Sequence, residues 1–176
     1  MPHDSSDLTA LLDRVEALEA IEAIKRLKAR YWYSCDQKDV EAVRACFADG
    51  VVEIDYDGPA STLQHRDELY DVFQELGCKP NIVEVHHGSA PQIERVDETH
   101  GTGVWGLVYD LIDTERKTMH RVGGYYHDRY ERIDGAWKIR ATRFRVVSVV
   151  ALRYESEGDV KLLLAGNALP APRQGD

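Results

Sequence analysis

Three features of the sequence predict an α+β fold: N-terminal helices packed in a strongly curved antiparallel sheet, together a cone-shaped barrel. Apolar residues fall at three-and-four spacing through the first third of the chain, which writes a stripe along a helix. The second half reads as long β-branched and aromatic runs separated by turn signals. The two kinds of element also do not alternate, and helices followed by strands is the order of an α+β chain, not an α/β one.

The stripe begins at Leu8, Leu11, Val15 and Leu18 and continues through Ile21, Ile24, Leu27 and Tyr31. Up to about Glu19 it is only a narrow seam among charges, which suits either a helix lying on a neighbouring subunit or a frayed amphipathic extension. Asp39 is placed to open the next helix, "VEAVRACF", by accepting its free backbone N–H groups, and Asp49-Gly50 to end it with a left-handed stop. "VVEIDY" reads as a short strand. "HRDELYDVFQEL" reads as a helix with Leu69, Val72, Phe73 and Leu76 on one side, closed by Gly77. Four long strands follow, "NIVEVHHGSAPQIERV", "THGTGVWGLVYDLID", "KTMHRVGGYYHDRYERI" and "AWKIRATRFRVVSVVALRYE", the last two joined at the hairpin dipeptide Asp134-Gly135. Strands this long must bend, and Gly101, Gly103, Gly106 and Gly123-Gly124 stand where bends or bulges are needed, so the sheet is expected to wrap the helices with a closed interior. The 176 residues suffice for one domain with a real core. The expected division is a helical extension over 1–20, a single domain over 21–166 and a mobile tail over 167–176.

A net charge of −9 argues against a nucleic-acid partner, since a phosphate-binding surface needs excess Lys and Arg. Cys35, Cys46 and Cys78 are odd in number and lack C-x-x-C spacing, so a disulfide framework or zinc knot is not expected and a reducing cytoplasm fits best. The N-terminus lacks the apolar core of a signal peptide and no window approaches ~18 apolar residues, so neither export nor a membrane partner is expected. "GTGVWG" lies within a strand and not in a strand-to-helix loop, which removes the dinucleotide and P-loop readings. None of the seven histidines pairs at helical ligand spacing, and His86 and His87, adjacent on a strand, point to opposite faces. No metal is expected.

Chemistry is left to two places. "YWYSCD" sets Tyr31, Trp32 and Tyr33 one helical turn before Asp36; the rings either cap a core while Asp36 ends the helix, or they wall an active site. A histidine on the first long strand supplies the second member of a pair in which an acid orients an imidazole for proton transfer, although a lone strand histidine is also an ordinary structural residue.

Taken in order, "VEALEAIEAIKRLKARYWYSCD", "HHGSAPQI", "TGVWGLVYD" and "GGYYHDRYERIDGAWKI" resemble the SnoaL-like branch of the nuclear-transport-factor-2 superfamily. Over about residues 10–150 the chain is most similar to the bile acid 7α-dehydratases, and at the same points to the scytalone dehydratases and hexachlorocyclohexane dehydrochlorinases. The resemblance implies a cone-shaped α+β barrel with a deep apolar pocket, no cofactor, and a His-Asp dyad that eliminates water or acid from a cyclic substrate. By position, Tyr31 matches the pocket tyrosine, Asp36 the dyad acid and His86, first in H-x-G, the dyad base. Where the bile acid enzymes carry an acid after the tryptophan, this chain has Tyr109, with Asp110 one residue on, and the terminal pocket arginine falls at either Arg143 or Arg145. Strand parity alone would turn His87 inward with Val83 and Val85; the motif selects His86.

The reading is a cofactor-independent dehydratase acting on a hydrophobic polycyclic, steroid- or bile-acid-like substrate. His86, held by Asp36, takes the proton beside a carbonyl, and Tyr31 with Tyr56 or Tyr125 bonds the oxygen. The departing hydroxyl is protonated by the same imidazolium or by Tyr109, and Tyr56, Trp105, Tyr109, Tyr125, Arg143 and Arg145 are the expected substrate contacts. An isomerase or cyclase would use the same base and donors. A non-catalytic binding or structural subunit of this fold would need no facing His and Asp. The resembling dehydratases imply a homotrimer, with a homodimer as the alternative.

Overall fold

A computed structural model describes residues 5–57, 62–153 and 160–165. Helix α1 (Ser5–Asp36) runs unbroken across residue 20, and the expected tail, 167–176, lies outside the described residues. The halves of α1 differ in burial: Leu8, Leu11, Val15 and Leu18 are exposed, whereas Ile24, Leu27, Tyr31 and Trp32 are buried in the core. Helix α2 (Val40–Cys46) is capped as expected, Asp39 Oδ1 accepting from the Ala42 N–H at 3.0 Å. It ends earlier than expected, because Phe47 turns to extended backbone and Ala48 N–H bonds Ile139 O at 3.0 Å. Gly50 (φ 77°) therefore serves the turn into β1 and not the helix end.

The strands are β1 (Val51–Tyr56), β2 (Thr62–His65), β3 (Ile82–Arg95), β4 (His100–Asp113), β5 (Thr118–Ile133), β6 (Ala136–Arg153) and β7 (Val160–Ala165). Between β2 and β3 lies α3 (Arg66–Val72), opened by a reciprocal cap between His65 and Glu68 and followed by one π turn, Phe73–Gly77, where the sequence reads as a single helix. Strands β2 and β7 have no counterpart in the sequence reading. Two expectations about the sheet need correction. It is mixed, because β1 runs parallel to β6: α2 delivers the chain to β6 already parallel at the Phe47–Ile139 bridge, and β1 continues in that direction. It is also not closed into a barrel. The order β2-β1-β6-β5-β4-β3 leaves β2 and β3 as edges, so the sheet curves round the helices and stays open. Bulges at Ser89/Gln92 and Gly123/Gly124 help bend it. Asp134 (φ 48°) and Gly135 (φ 79°) make the tight β5–β6 hairpin.

The core between α1 and the concave face contains a polar network as well as apolar side chains. Lys28 is fully buried, with Nζ 2.8 Å from Asp128 Oδ2 and 3.6 Å from the centre of the Tyr126 ring. Asp128 also accepts from Tyr130 Oη and Thr142 Oγ1, each at 2.7 Å, and Tyr130 accepts from Trp105 Nε1 at 2.9 Å. Burial pulls the pKa of Lys28 down and Asp128 pushes it back up. Breaking such a pair leaves one uncompensated buried charge, at a cost of about 3–5 kcal/mol. Lys28→Met is accordingly expected to lower unfolding free energy by that amount in equilibrium urea denaturation; a loss below about 1 kcal/mol would mean that Asp128 does not depend on its cation.

Candidate active site

A cavity of about 410 Å³ lies between the C-terminal half of α1, α3 with its π turn, and the concave face of β3 to β6. Its wall includes Tyr31 and Cys35 from α1, Tyr56 from β1, Glu84 and His86 from β3, and Tyr109 from β4. Tyr126, Phe144, Leu69 and Phe73 complete an aromatic and aliphatic lining.

Asp36 stands directly behind His86. Its Oδ1 is 2.6 Å from His86 Nδ1, and its Oδ2 accepts the backbone N–H of the same residue at 3.2 Å. A carboxylate at a helix C-terminus meets the negative end of the macrodipole, an arrangement worth roughly 0.3–1 kcal/mol in the unfavourable sense. Asp36 is therefore not explained as a helix terminator; the two N–H groups of His86 are what hold it. The helix stops through Lys38 (φ 58°) and the bonds Lys38 N–H to Cys35 O and Asp39 N–H to Ser34 O. Lys38 Nζ then donates to Gly77 O and, at 3.2 Å, to Lys79 O, which ties this helix end to the π turn and the entry of β3. With Nδ1 engaged, Nε2 of His86 is the ring nitrogen left for the cavity. The His86 side chain is 9% exposed and that of Asp36 21%; His86 lines the cavity and Asp36 backs it.

In the same cavity lining, the Tyr31 and Tyr56 hydroxyls are 2.9 Å apart. Burial is the main cause that pushes both phenols upward, as it does Tyr126, so all three remain protonated donors. Burial likewise raises the Cys35 thiol, which removes it as a thiolate nucleophile. Tyr109 lies against His86, the rings tilted 39° with centres 4.6 Å apart, and its hydroxyl donates to Glu84 Oε1 at 2.5 Å.

Several expected contacts lie elsewhere. Tyr125 is 51% exposed on the outer face, because β5 alternates strictly there and turns Tyr126 inward. Trp105 points inward but sits beneath α1, edge-on to Trp32 at 5.4 Å and bonded to Tyr130, so it belongs to the core and not to the cavity wall. Arg143 and Arg145 both face outward and bind Asp55, and Arg145 also reaches Asp57 at 3.1 Å; Phe144 between them is the cavity residue. His87 is on the outer side with Val83, so β3 carries its polar pair, Glu84 and His86, inward and its apolar pair outward. Glu84, Tyr126 and Phe144 escape the sequence reading. Parity could have found the last two, because His127, Arg129, Arg143 and Arg145 mark the outer face of their strands. A larger groove of about 640 Å³ on the sheet, walled by Glu53, Asp55, Arg129 and Arg143, holds no comparable acid–imidazole pair. Among the described residues no three His, Cys, Asp or Glu side chains gather as a metal site, and no helix is long and apolar enough to cross a membrane.

The profile of the SnoaL-like domain family matches residues 16–143. Solved structures share the fold. A protein provisionally assigned as a scytalone dehydratase from Novosphingobium aromaticivorans superposes with a TM-score of 0.69 at 22% identity, over 86% of this chain and 96% of that one. The hexachlorocyclohexane dehydrochlorinase LinA-type3 from Novosphingobium barchaimii gives 0.70 at 20% identity, over 84% and 98%. ActVI-ORFA from Streptomyces coelicolor gives 0.62 at 13% identity, over 73% and 97%.

The Asp36 grip on Nδ1 fixes the tautomer that leaves Nε2 with a lone pair. Imidazole ¹⁵N spectra are expected to show His86 as the Nδ1–H form, and Asp36→Asn to move it toward the Nε2–H form. An unchanged tautomer in the variant would show that Asp36 does not orient the ring.

Proposed function

Because the chain belongs to the SnoaL-like domain family, we propose that it is a cofactor-independent lyase that removes water from a neutral, hydrophobic, polycyclic substrate with a carbonyl near the departing hydroxyl. The observation that carries this reading is the imidazole of His86, backed by Asp36 at 2.6 Å, on the wall of an apolar cavity that also holds the paired Tyr31 and Tyr56 hydroxyls. Nε2 of a neutral His86 takes the proton from the carbon beside the carbonyl, and the C–H electron pair moves onto the oxygen. Tyr31 and Tyr56 donate to that oxygen as its charge grows, a contribution of a few kcal/mol per donor. The electrons then return, the carbon–oxygen bond breaks and an enone forms.

The cavity wall supports the substrate class. Its volume of about 410 Å³ suits a fused-ring molecule, and its lining is aromatic and aliphatic with few polar groups. Among the described residues no Lys or Arg lines that wall, so an anionic headgroup would enter without a cationic partner. Steroid- and bile-acid-like ring systems fit as uncharged skeletons. Two of the structural relatives carry names of elimination enzymes, a scytalone dehydratase and a dehydrochlorinase, which agrees with the reaction type.

Turnover of a bicyclic β-hydroxy ketone to its enone, followed by absorbance, tests the reading. His86→Gln is expected to lower the rate by about 10²–10⁴-fold, the usual worth of a positioned base, and a chelator to leave the rate unchanged. A variant as active as the parent sinks the reading, as does loss in chelator restored by one divalent ion; a rearranged ketone in place of the enone assigns an isomerase.

The same reading extends to assembly, with three copies covering the apolar residues left exposed on α1 (Leu8, Leu11, Val15) and on the outer sheet face (Val83, Val108). Sedimentation is expected to give a particle of about 60 kDa, three times the 20.0 kDa chain. One of about 40 kDa, twice that 20.0 kDa mass, would replace the trimer by the dimer.

A further inference from the structure

The mechanism so far leaves the departing hydroxyl without its proton. Glu84 is two residues from His86 on the same concave face of β3, and its Oε1 accepts the Tyr109 hydroxyl at 2.5 Å. The Tyr109 ring in turn lies against the His86 ring, tilted 39° with centres 4.6 Å apart, so Tyr109 belongs to the wall on which the base sits. The other oxygen, Oε2, is buried against Gly77 with no hydrogen-bond partner among the described residues. A Cβ at Gly77 would stand 3.2 Å from that oxygen and 2.6 Å from the Phe73 ring, so the glycine leaves the carboxyl its room. A charged carboxylate with one oxygen unsolvated and unpartnered is costly, whereas a protonated carboxyl is much less so.

We propose that Glu84 is the proton store of the site and supplies, through Tyr109, the proton that the departing hydroxyl takes. The inference rests on the dehydratase reading and adds a residue to it. Tyr109 is the catalytic residue of the pair, because it touches the substrate; Glu84 is a positioning and supply residue behind it. In the resting state Glu84 is protonated and His86 neutral. When the carbon–oxygen bond breaks, its electron pair stays on oxygen, Tyr109 passes its proton to that oxygen and water forms. In that step Tyr109 turns its O–H from Glu84 Oε1 to the departing oxygen, and the carboxyl proton, carried on Oε1, moves to Tyr109 Oη in exchange. The site is left as imidazolium and carboxylate, and return of one proton from His86 to Glu84 resets it, so substrate goes to enone plus water with nothing else consumed.

The surroundings agree with a protonated store. Burial is the largest influence on Glu84 and raises its pKa, and Asp36 raises it further; the Tyr109 hydrogen bond, His86 and Lys38 oppose this, and the net direction is upward. Among the described residues, Cys35 and Cys78 are further titratable groups that face it. A general acid works only while protonated, so elimination should fall as pH rises through the Glu84 pKa, at a pH above the ordinary carboxylate range.

The test uses two probes, a bicyclic β-hydroxy ketone for elimination and the parent ketone without the hydroxyl for deuterium exchange beside the carbonyl, which needs the base but no leaving-group acid. Glu84→Gln keeps an acceptor for Tyr109 and removes the titrating proton. It is expected to slow elimination at least about tenfold more than exchange, within the range of general-acid effects, and to erase the alkaline fall of kcat. Glu84→Asp should restore part of both. An infrared carbonyl band of a protonated carboxyl, present in the parent at neutral pH and absent in Glu84→Gln, reads the store directly. Equal slowing of both reactions, an unchanged pH profile or the absence of that band overturns the inference while leaving the dehydratase reading in place. A parent protein inert on both probes overturns the dehydratase reading and the acid role together, and one that exchanges without eliminating overturns the acid role and leaves an isomerase.

Discussion

The site depends on how closely α1 lies on β3. Trp32 rests on Gly88, where any Cβ would fall 1.9 Å from the indole, so helix and strand meet at a contact that only glycine permits. From there α1 climbs four residues to Asp36, about 6 Å at the helical rise. The strand, running the opposite way, steps two residues to His86, about 6.6 Å at the extended rise. The two advances match within a fraction of an ångström, which is why the helix ends with its carboxylate over one imidazole and the backbone N–H beneath it. A dyad set by such a contact is as rigid as the packing that makes it, and that packing is edge-to-face aromatic: Trp32 on Trp105 at 5.4 Å and Tyr31 on Phe47 at 5.6 Å.

Behind the dyad the aromatic wall is fastened by charge. Lys28, one turn before Trp32, is held by Asp128 and lies under the Tyr126 ring, and Tyr126 is itself part of the cavity. The network joins α1, β4, β5 and β6 through Lys28, Trp105, Tyr130, Asp128 and Thr142. Asp128 and Tyr130 on β5 meet Thr142 on β6, Trp105 on β4 and Lys28 on α1 only when β5 holds its observed register. A buried network of this kind selects register as well as adding stability. Support of this order is what a proton-transfer site needs, since misplacement by about 1 Å costs reactivity heavily.

Much of this was legible in the sequence, and the failures have physical causes. Helix and strand order follow from periodicity, and the Asp39 cap and Asp134-Gly135 hairpin from local chemistry. Asp36 and His86 were legible through the spacing of a recognisable family motif, not through parity, which favoured His87. Parity misled because β3 inverts the usual rule and carries Glu84 and His86 inward with valines outside. The family resemblance pointed to Arg143 or Arg145 as a pocket arginine, whereas Asp55 pairs with both on the outer side, Asp57 also holds Arg145, and Phe144 faces the cavity. Closure and strand direction were not legible at all. Whether a curved sheet meets its own edge, and whether β1 joins β6 parallel, is decided by the tertiary path after α2, through the bridge at Phe47, and no local pattern encodes it.

Two carboxyl groups in one site invite the question of why they should do different work, and the answer lies in their environments. Asp36 sits at a helix end behind the imidazole and has both oxygens engaged by N–H donors of His86. Glu84 is enclosed, takes one O–H donor from Tyr109 and has an oxygen left over. Enclosure with one oxygen bare favours a neutral acid, and burial raises the Glu84 pKa accordingly. Environments that differ in this way separate the roles of two chemically similar groups, as the paired carboxyls of other acid–base enzymes do. The imidazole lies between them, oriented by the first and within reach, through Tyr109, of the second. On the proposed reading, abstraction by His86 and delivery through Tyr109 fall to neighbouring side chains on one wall of the cavity, and the short strand segment from Glu84 to His86 carries both the base and the proton store.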